Sequence, residues 1–442
     1  MPVHRREAIE APPPRRPPMP MSAGVTRRSR PQAASRERSG TLDVAVLDAS
    51  GRAALISARA LGEAGARVGA FDREQAPAFR SRWVRESGLL PDFVAEPDAY
   101  AAALLALVER YEPEVLIPAH DGSIEVIRAH RSELERRVAI ALAPESQLAV
   151  AIDKAQTFAL AESLGVALPR SVSLQAGCDV EEALAEVGLP AVVKPMRSWV
   201  EGSEERLMSL VVSGASELRA ILALPGWRGV PLVLQQWVGG RREAVWLFFA
   251  RGKIWARFAQ VAYRMNPPLG GASILRESIV PNRDVLESSE RLVREIGLEG
   301  FSEVEFRRDL SGRPMLMEIN PRLSASIELG VRAGIDFPGL LYAWAAGRSL
   351  HEAQSYRVGI RMRWLGGDLR WLRATLGAAP GPDIPPRGVA LGRFLRDSLR
   401  PSGYDYLVAS DPLPALFASY ALLRRGLVHY GAAARAFGGG RS

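Results

Sequence analysis

The stretch Phe301 to Arg322, FSEVEFRRDLSGRPMLMEINPR, constrains this chain more than any other. Two alternations of apolar and polar residues flank Asp309-Leu310-Ser311-Gly312, the Asp/Ser/Gly chemistry that turns a hairpin. Pairing Arg308 with Arg313 across that loop sets Glu303 opposite Glu318 and Glu305 opposite Leu316. Side chains alternate faces along a strand, so Glu303, Glu305, Glu318 and Asn320 then share one face. Val304, Phe306, Met315, Met317 and Ile319 share the other, which can bury itself. Carboxylate and amide oxygens gathered on one rigid face suit Mg²⁺, a hard cation. The alternative is a solvated face of an antiparallel hairpin. It leaves unexplained the Asn-Pro-Arg that follows at once and sets a guanidinium beside the acids.

Lysine usage adds a second constraint. The chain has only three Lys, at 154, 194 and 253, among 57 basic residues. A Lys retained in so arginine-rich a chain points to a use for its compact ammonium, which a planar guanidinium does not supply. Lys154 follows Asp153 at the start of a helix, DKAQTFALAESLG, that Gly165 closes. Lys194 ends a buried strand, Ala191-Val192-Val193-Lys194, and Pro195 stops the ladder. Lys253 follows Arg251-Gly252 and reads as turn chemistry between two aromatic strands.

Before Pro144, strands LDVAVLD, ARVGAFD, EVLIPA and RVAIALA alternate with helical segments, which argues for a parallel sheet covered on both faces. No G-x-G-x-x-G turn follows the first strand, so a nicotinamide or flavin domain is not expected. His120-Asp121-Gly122-Ser123 stands at a strand's C-terminal end, where open α/β sheets place ligands. Helix capping by Asp121 or Ser123 explains it equally well. Downstream, PLVLQQWVGG runs from a strand into a Gly pair, and a Pro/Gly loop over 266–273 returns through Ile274-Leu275-Arg276. Long loops on a rigid core are where binding residues sit.

Glu305 in Val-Glu-Phe, followed by Glu318-Ile319-Asn320-Pro321-Arg322, resembles the metal-binding hairpin of the ATP-grasp superfamily. It is nearest the carbamoyl-phosphate-synthetase-like and carboxylate-amine ligase branches, and the resemblance covers roughly residues 42–350. It implies α/β and α+β architecture: a Rossmann-like pre-ATP-grasp domain over 41–143, then a two-lobed ATP-grasp domain over 144–350. A disordered Pro/Arg-rich tail (1–40) and a basic C-terminal extension (351–442) flank them. By the same resemblance Glu305, Glu318 and Asn320 hold the Mg²⁺ (Mn²⁺ is the alternative) that bridges ATP phosphates, and Arg322 steadies the transferring phosphoryl group. Lys154 and Lys194 reach ATP, and Gln235-Gln236-Trp237-Val238 is the hinge whose backbone reads adenine. Glu243 is the nearest acid for the ribose. Ser273 lies near the reacting centre and Arg276 approaches the phosphates. The chain departs from the family at Met196–Ser203, where a glycine-rich lid is replaced by a segment with a single Gly.

The implied activity is an ATP- and Mg²⁺-dependent ligase that turns a small-molecule carboxylate into an acyl phosphate and joins it to an amine or a thiol. Two rivals use the same features: a phosphotransferase to an alcohol, and a non-catalytic nucleotide-binding regulatory or assembly protein. Charge argues against nucleic acid as a partner. Residues 1–40 carry nine Arg and three Glu, and residues 351–442 thirteen Arg and six acids, so the overall +8 leaves 41–350 at −5. One cysteine, Cys178, fits a reducing compartment. With no signal-peptide core at the start and no apolar run of spanning length, the expected location is cytoplasmic. The Arg-bearing helix expected over 412–429 packs on its own domain or a second subunit; an anionic membrane surface is the other partner such a helix fits.

Overall fold

Val44–Leu47 (β1) is apolar at every position and buried at every position, so both its faces must be covered. It is the central strand of the first sheet in the computed structural model of the chain, which describes residues 41–175, 177–196, 209–267, 271–378, 380–381, 384–422 and 424. With β2 (Val68–Asp72), β3 (Val84–Leu89), β4 (Val115–Ile117) and β5 (Ala139–Ile140) it forms a five-stranded parallel sheet, order β3-β2-β1-β4-β5. The strand expected from RVAIALA shrinks to two residues, and the helix expected over 123–137 breaks into Asp121–Ala129 and Arg131–Leu134. His120, rather than Asp121 or Ser123, provides the cap: its Nδ1 accepts from the Gly122 amide at 3.0 Å.

Two short helices, Glu145–Ile152 and Lys154–Ser163, lead onward. Asp153 separates them, and its carboxylate accepts from the amides of Ala155 and Gln156 at 2.9 and 3.3 Å, the expected N-cap. A four-stranded antiparallel sheet follows, made of β6 (Ser171–Leu174), β7 (Ala191–Pro195), β8 (Leu210–Val212) and β9 (Leu232–Gln236), ordered β6-β9-β7-β8. Among the described residues the third sheet has seven strands: β10 (Arg242–Ala250), β11 (Lys253–Asn266), β12 (Ala272–Ser278), β13 (Gly300–Arg308), β14 (Pro314–Asn320), β15 (Arg361–Arg363) and β16 (Gly403–Tyr404). Its order is β14-β13-β10-β11-β12-β15-β16, so residues beyond 350 extend the sheet that carries the hairpin. Arg251 and Gly252, both at positive φ, make the two-residue turn between β10 and β11.

The hairpin forms, with a different register. Asp309 caps the loop, its Oδ1 accepting from the amides of Ser311 (2.8 Å) and Arg313 (2.9 Å), and Arg308 therefore pairs with Pro314. A bulge between Glu305 and Phe306 leaves Met317 without an opposite residue, and beyond it Glu305 faces Glu318 and Glu303 faces Asn320. The four polar residues share a face, as expected. Met315 and Met317 do not join the core; Leu316 does, fully buried opposite Phe306. The sequence alternation did not contain the extra residue, so it inverted the parity of half a strand.

The expected tail over 1–40 and the Gly-poor segment after Met196 lie outside the described residues, as does the C-terminal helix beyond residue 424. Among the described residues no helix is long and apolar enough to cross a membrane.

Candidate active site

A cleft of about 500 Å³ runs between the four-stranded sheet and the hairpin face of the seven-stranded one. Lys154, Lys194, Gln235, Gln236, Val238, Ser273, Glu305, Glu318, Asn320 and Arg322 all line it, although they come from six separate segments of the chain. Strand ends and a helix start deliver them: Lys154 from the first turn of its helix, Lys194 and the two Gln from adjacent antiparallel strands β7 and β9.

Lys194 is buried, and its Nζ donates to Gln235 Oε1 at 2.7 Å. Gln235 in turn donates to Ser171 Oγ at 3.0 Å, which fixes the amide's orientation. Burial, then the neighbouring Lys154 charge, pulls the Lys194 ammonium down to about 7, against the pull of Glu318 and Glu305. An anion in the cleft reverses that balance.

Opposite the lysines, burial raises the Glu305 carboxyl; Arg242 works against that and the charges of Glu303 and Glu318 add to it. Arg242 Nη1 donates to Glu305 Oε2 at 2.9 Å and to the Gly271 carbonyl at 3.0 Å. Glu303 is committed elsewhere: its Oε1 accepts from Trp246 Nε1 (2.8 Å), Gln260 Nε2 (3.1 Å) and Ser324 Oγ (3.0 Å). Asn320 Nδ2 donates to Glu318 Oε1 at 3.3 Å. Among the described residues no group of three or more His, Cys, Asp or Glu is set to hold a metal ion. Glu305, Glu318 and Asn320 instead supply two carboxylates and an amide oxygen. That donor set fits Mg²⁺, which keeps waters and takes phosphate oxygens instead of filling a protein cage. The Glu305 carboxyl, raised by burial and by the charges of Glu303 and Glu318, is what a bound cation relieves.

Arg322 lines the cleft but is gripped from behind by Asp121 through two nitrogens, one at 2.9 Å. Burial disfavours the guanidinium charge, and the Asp121 carboxylate more than offsets it. Ser273 Oγ lies 2.7 Å from Ser326 Oγ at the cleft wall.

Two expected residues, Arg276 and Glu243, are placed elsewhere. Arg276 is fully buried, does not line the cleft, and its guanidinium is held by both oxygens of Asp405, which Arg52 also contacts at 2.7 Å. The strand carrying it pairs with β15, so the side chain meets the C-terminal segment, whose partner acid was invisible in local sequence. Glu243 is likewise engaged outside the cleft, by Arg308 at 2.7 Å and Asn282 at 2.6 Å.

Sequence reasoning missed Arg242 and Arg307, which stand opposite each other on β10 and β13 and both line the cleft. A signal existed for Arg307: it is two residues from Glu305 and so shares its face. Arg307 stacks over Trp237 in the hinge at 5.2 Å and donates to the Val238 carbonyl at 3.2 Å, tying the hinge to the hairpin sheet.

Residues 264–367, which include the second half of the cleft, match the model of a family described as ATP-grasp in the biosynthetic pathway with Ter operon. The D-alanine–D-alanine ligase of Ectopseudomonas mendocina (strain ymp) is 26% identical over 225 residues, 44% of this chain and 64% of that protein. The chain thus spans just under two thirds of the length of that relative. Among solved structures, the biotin carboxylase domain of Hydrogenobacter thermophilus 2-oxoglutarate carboxylase, in complex with MgADP, ADP and bicarbonate, superposes with a TM-score of 0.58 at 17% identity, covering 73% of each chain. The L-amino acid ligase of Bacillus licheniformis does so with a TM-score of 0.52 at 14% identity, covering 70% of this chain and 75% of that one. The chain is thus similar to ATP-grasp proteins through the family model over residues 264–367, to the ligase over 44% of its length, and to the two solved structures in fold.

Proposed function

We propose that this protein is an ATP- and Mg²⁺-dependent ligase that activates a carboxylate and joins it to an amine. The observation that carries the reading is the convergence of Lys154, Lys194, Arg322 and the Glu305–Glu318 pair on one cleft of about 500 Å³. The D-alanine–D-alanine ligase relative, whose name describes joining a carboxylate to an amine, supports the same direction.

On this reading the Gln235–Val238 hinge takes the adenine, with Arg307 and Trp237 closing behind it, and Lys154 and Lys194 hold phosphate oxygens. Glu305, Glu318 and Asn320 hold the cation, which neutralises phosphate charge when bound. A substrate carboxylate oxygen forms a bond to the γ-phosphorus, the bond from that phosphorus to the bridging oxygen breaks, and its electrons leave with ADP. Arg322, steadied by Asp121, faces the charge that develops on the moving group. The amine nitrogen then attacks the acyl carbon, loses a proton, and phosphate departs with the C–O bonding electrons. Phosphoryl transfer needs positioning and charge neutralisation above all, which is what this lining supplies.

The test is an ADP-release screen of carboxylates, each with and without candidate amines. Amine-dependent ADP and phosphate with an amide product is the expected result. A phosphate ester plus ADP would make the protein a phosphotransferase, and bound but unchanged ATP would make it a nucleotide-binding regulator.

A further inference from the structure

Beside the nucleotide cleft lies a second, larger chamber of about 1040 Å³, between the ends of β10 and β11 and the helix Arg387–Ser398. Its lining carries eight arginines and, among the described residues, one carboxylate, Asp397. That carboxylate is already committed: Arg264 Nη1 donates to it at 2.7 Å and Arg361 Nη2 at 3.0 Å. Asp368, outside the lining, takes the other side of Arg264 at 2.8 Å. The floor of the chamber is therefore partly neutralised. Its rim is not, since Arg241, Arg393 and Arg400 have no carboxylate within ion-pair distance among the described residues.

Three of the eight guanidinium groups are held in place by rings of the lining. Arg241 and Arg361 lie over the Tyr263 ring, at 4.8 and 5.3 Å, and Arg264 lies over Trp371 at 4.9 Å. Two buried donors, Nε of Arg361 and Nε of Arg242, make no hydrogen bond. Like charges gathered on rigid supports repel one another, and buried donors without acceptors are unfavourable. A bound anion offsets that repulsion, and guanidinium forks match carboxylate and phosphate oxygens. The chamber adjoins the nucleotide site: Arg242, Arg307 and Met265 line both.

We propose that this chamber binds a small-molecule polyanion carrying two or three negative charges, a polycarboxylic or a phosphorylated acid; if the ligase reading holds, this is the acid to be activated. The three unbalanced rim arginines set the charge, the volume sets a metabolite-sized ligand, and the lining shared with the cleft sets it beside the nucleotide. Three of the eight arginines (Arg393, Arg396 and Arg400) come from the helix Arg387–Ser398 and the residues just after it, so the C-terminal segment is what makes the site.

The test is calorimetric titration of the full chain at fixed ionic strength with tricarballylate, 3-phosphoglycerate and acetate, in the parent, in R393A/R400A and in K154M/K194M. Tricarballylate, 3-phosphoglycerate or both should bind, and acetate should not. The arm that binds more tightly identifies the polycarboxylic or the phosphorylated class. R393A/R400A, both at exposed positions, should weaken that binding at least tenfold while leaving binding of a non-hydrolysable ATP analogue unchanged. K154M/K194M should show the reverse. Polyanion binding with no ADP release from any acid would support the chamber and remove the ligase reading. Polyanion binding that is unaffected by R393A/R400A, that is displaced by the ATP analogue, or that is no tighter than acetate would overturn the proposal.

Discussion

Arg322, two residues past the end of β14, and Asp121, at the first turn of the helix that follows β4, form a two-nitrogen, two-oxygen pair across 201 residues of sequence. The pair joins the C-terminal end of β4 in the parallel sheet to the hairpin that carries the acids. It also holds the cleft arginine that ends Glu318-Ile319-Asn320-Pro321-Arg322.

If Asp121 positions Arg322 for the chemical step, Asp121→Asn should lower kcat by roughly 10²-fold, the penalty typical of a misplacement near 1 Å. Binding of ATP should hardly change, because the lysines are untouched. Steady-state kinetics with calorimetric ATP binding checks both, and a parental kcat would release Arg322 from its assigned role.

Lys154→Met and Lys194→Met should each reduce the ATP-induced rise in melting temperature while leaving the ligand-free protein nearly as stable as the parent. At ~100 times its dissociation constant a ligand adds about 2.7 kcal/mol, so the loss is easily read. Equal stabilisation in parent and variants would take these lysines out of the site.

The glutamates should separate by readout. Glu318→Gln and Glu305→Gln should abolish Mg²⁺-dependent turnover, and Glu318→Gln should do so with stability changed by about 0.5 kcal/mol or less. Glu303→Gln should instead destabilise by about 1–2 kcal/mol, because three donors converge on its charged oxygen and would meet a neutral amide. Turnover and urea denaturation measured side by side decide the matter. Full activity of Glu318→Gln would end the metal-site reading.

Arg276→Met or Asp405→Asn should cost about 3–5 kcal/mol, the loss expected when one partner of a buried pair is removed. A variant of Arg276 that stays as stable as the parent but loses turnover would return this residue to the chemistry.

Asp48 should contribute a component of stability that falls as pH rises from about 4 to about 7. Burial, with some help from Asp72, pushes its carboxyl up to about 7, and the hydrogen bonds from Ser123 and Ala119 oppose the shift. Within that window the folded chain keeps a proton that the unfolded chain releases, so the slope is negative and levels off above about 7. Asp48→Asn should remove this component. Urea denaturation of parent and variant at pH 5 and pH 7 measures it, and identical slopes would show that Asp48 titrates normally.

The sequence alone determined the local chemistry. A period of two in FSEVEF and MLMEIN, Asx chemistry in the loop and Pro at the strand end were enough for a hairpin with Glu303, Glu305, Glu318 and Asn320 on one face. Asp153 before Lys154 was enough for a capped helix. These features depend on residues within a few positions of one another, so they can be read from one stretch at a time. Only the tertiary structure decided the rest. The bulge at Met317 exchanged Met315 and Met317 for Leu316 in the core, because the face a strand buries is set by what packs on it. Arg276 resembled a phosphate-contacting residue until the chain after residue 350 returned, added β15 to the sheet and set Asp405 against it. The same return placed Arg393 and Arg400 beside β10 and β11. Whether an arginine serves an ion pair or a ligand depends on which distant carboxylate reaches it, and that choice is made by packing.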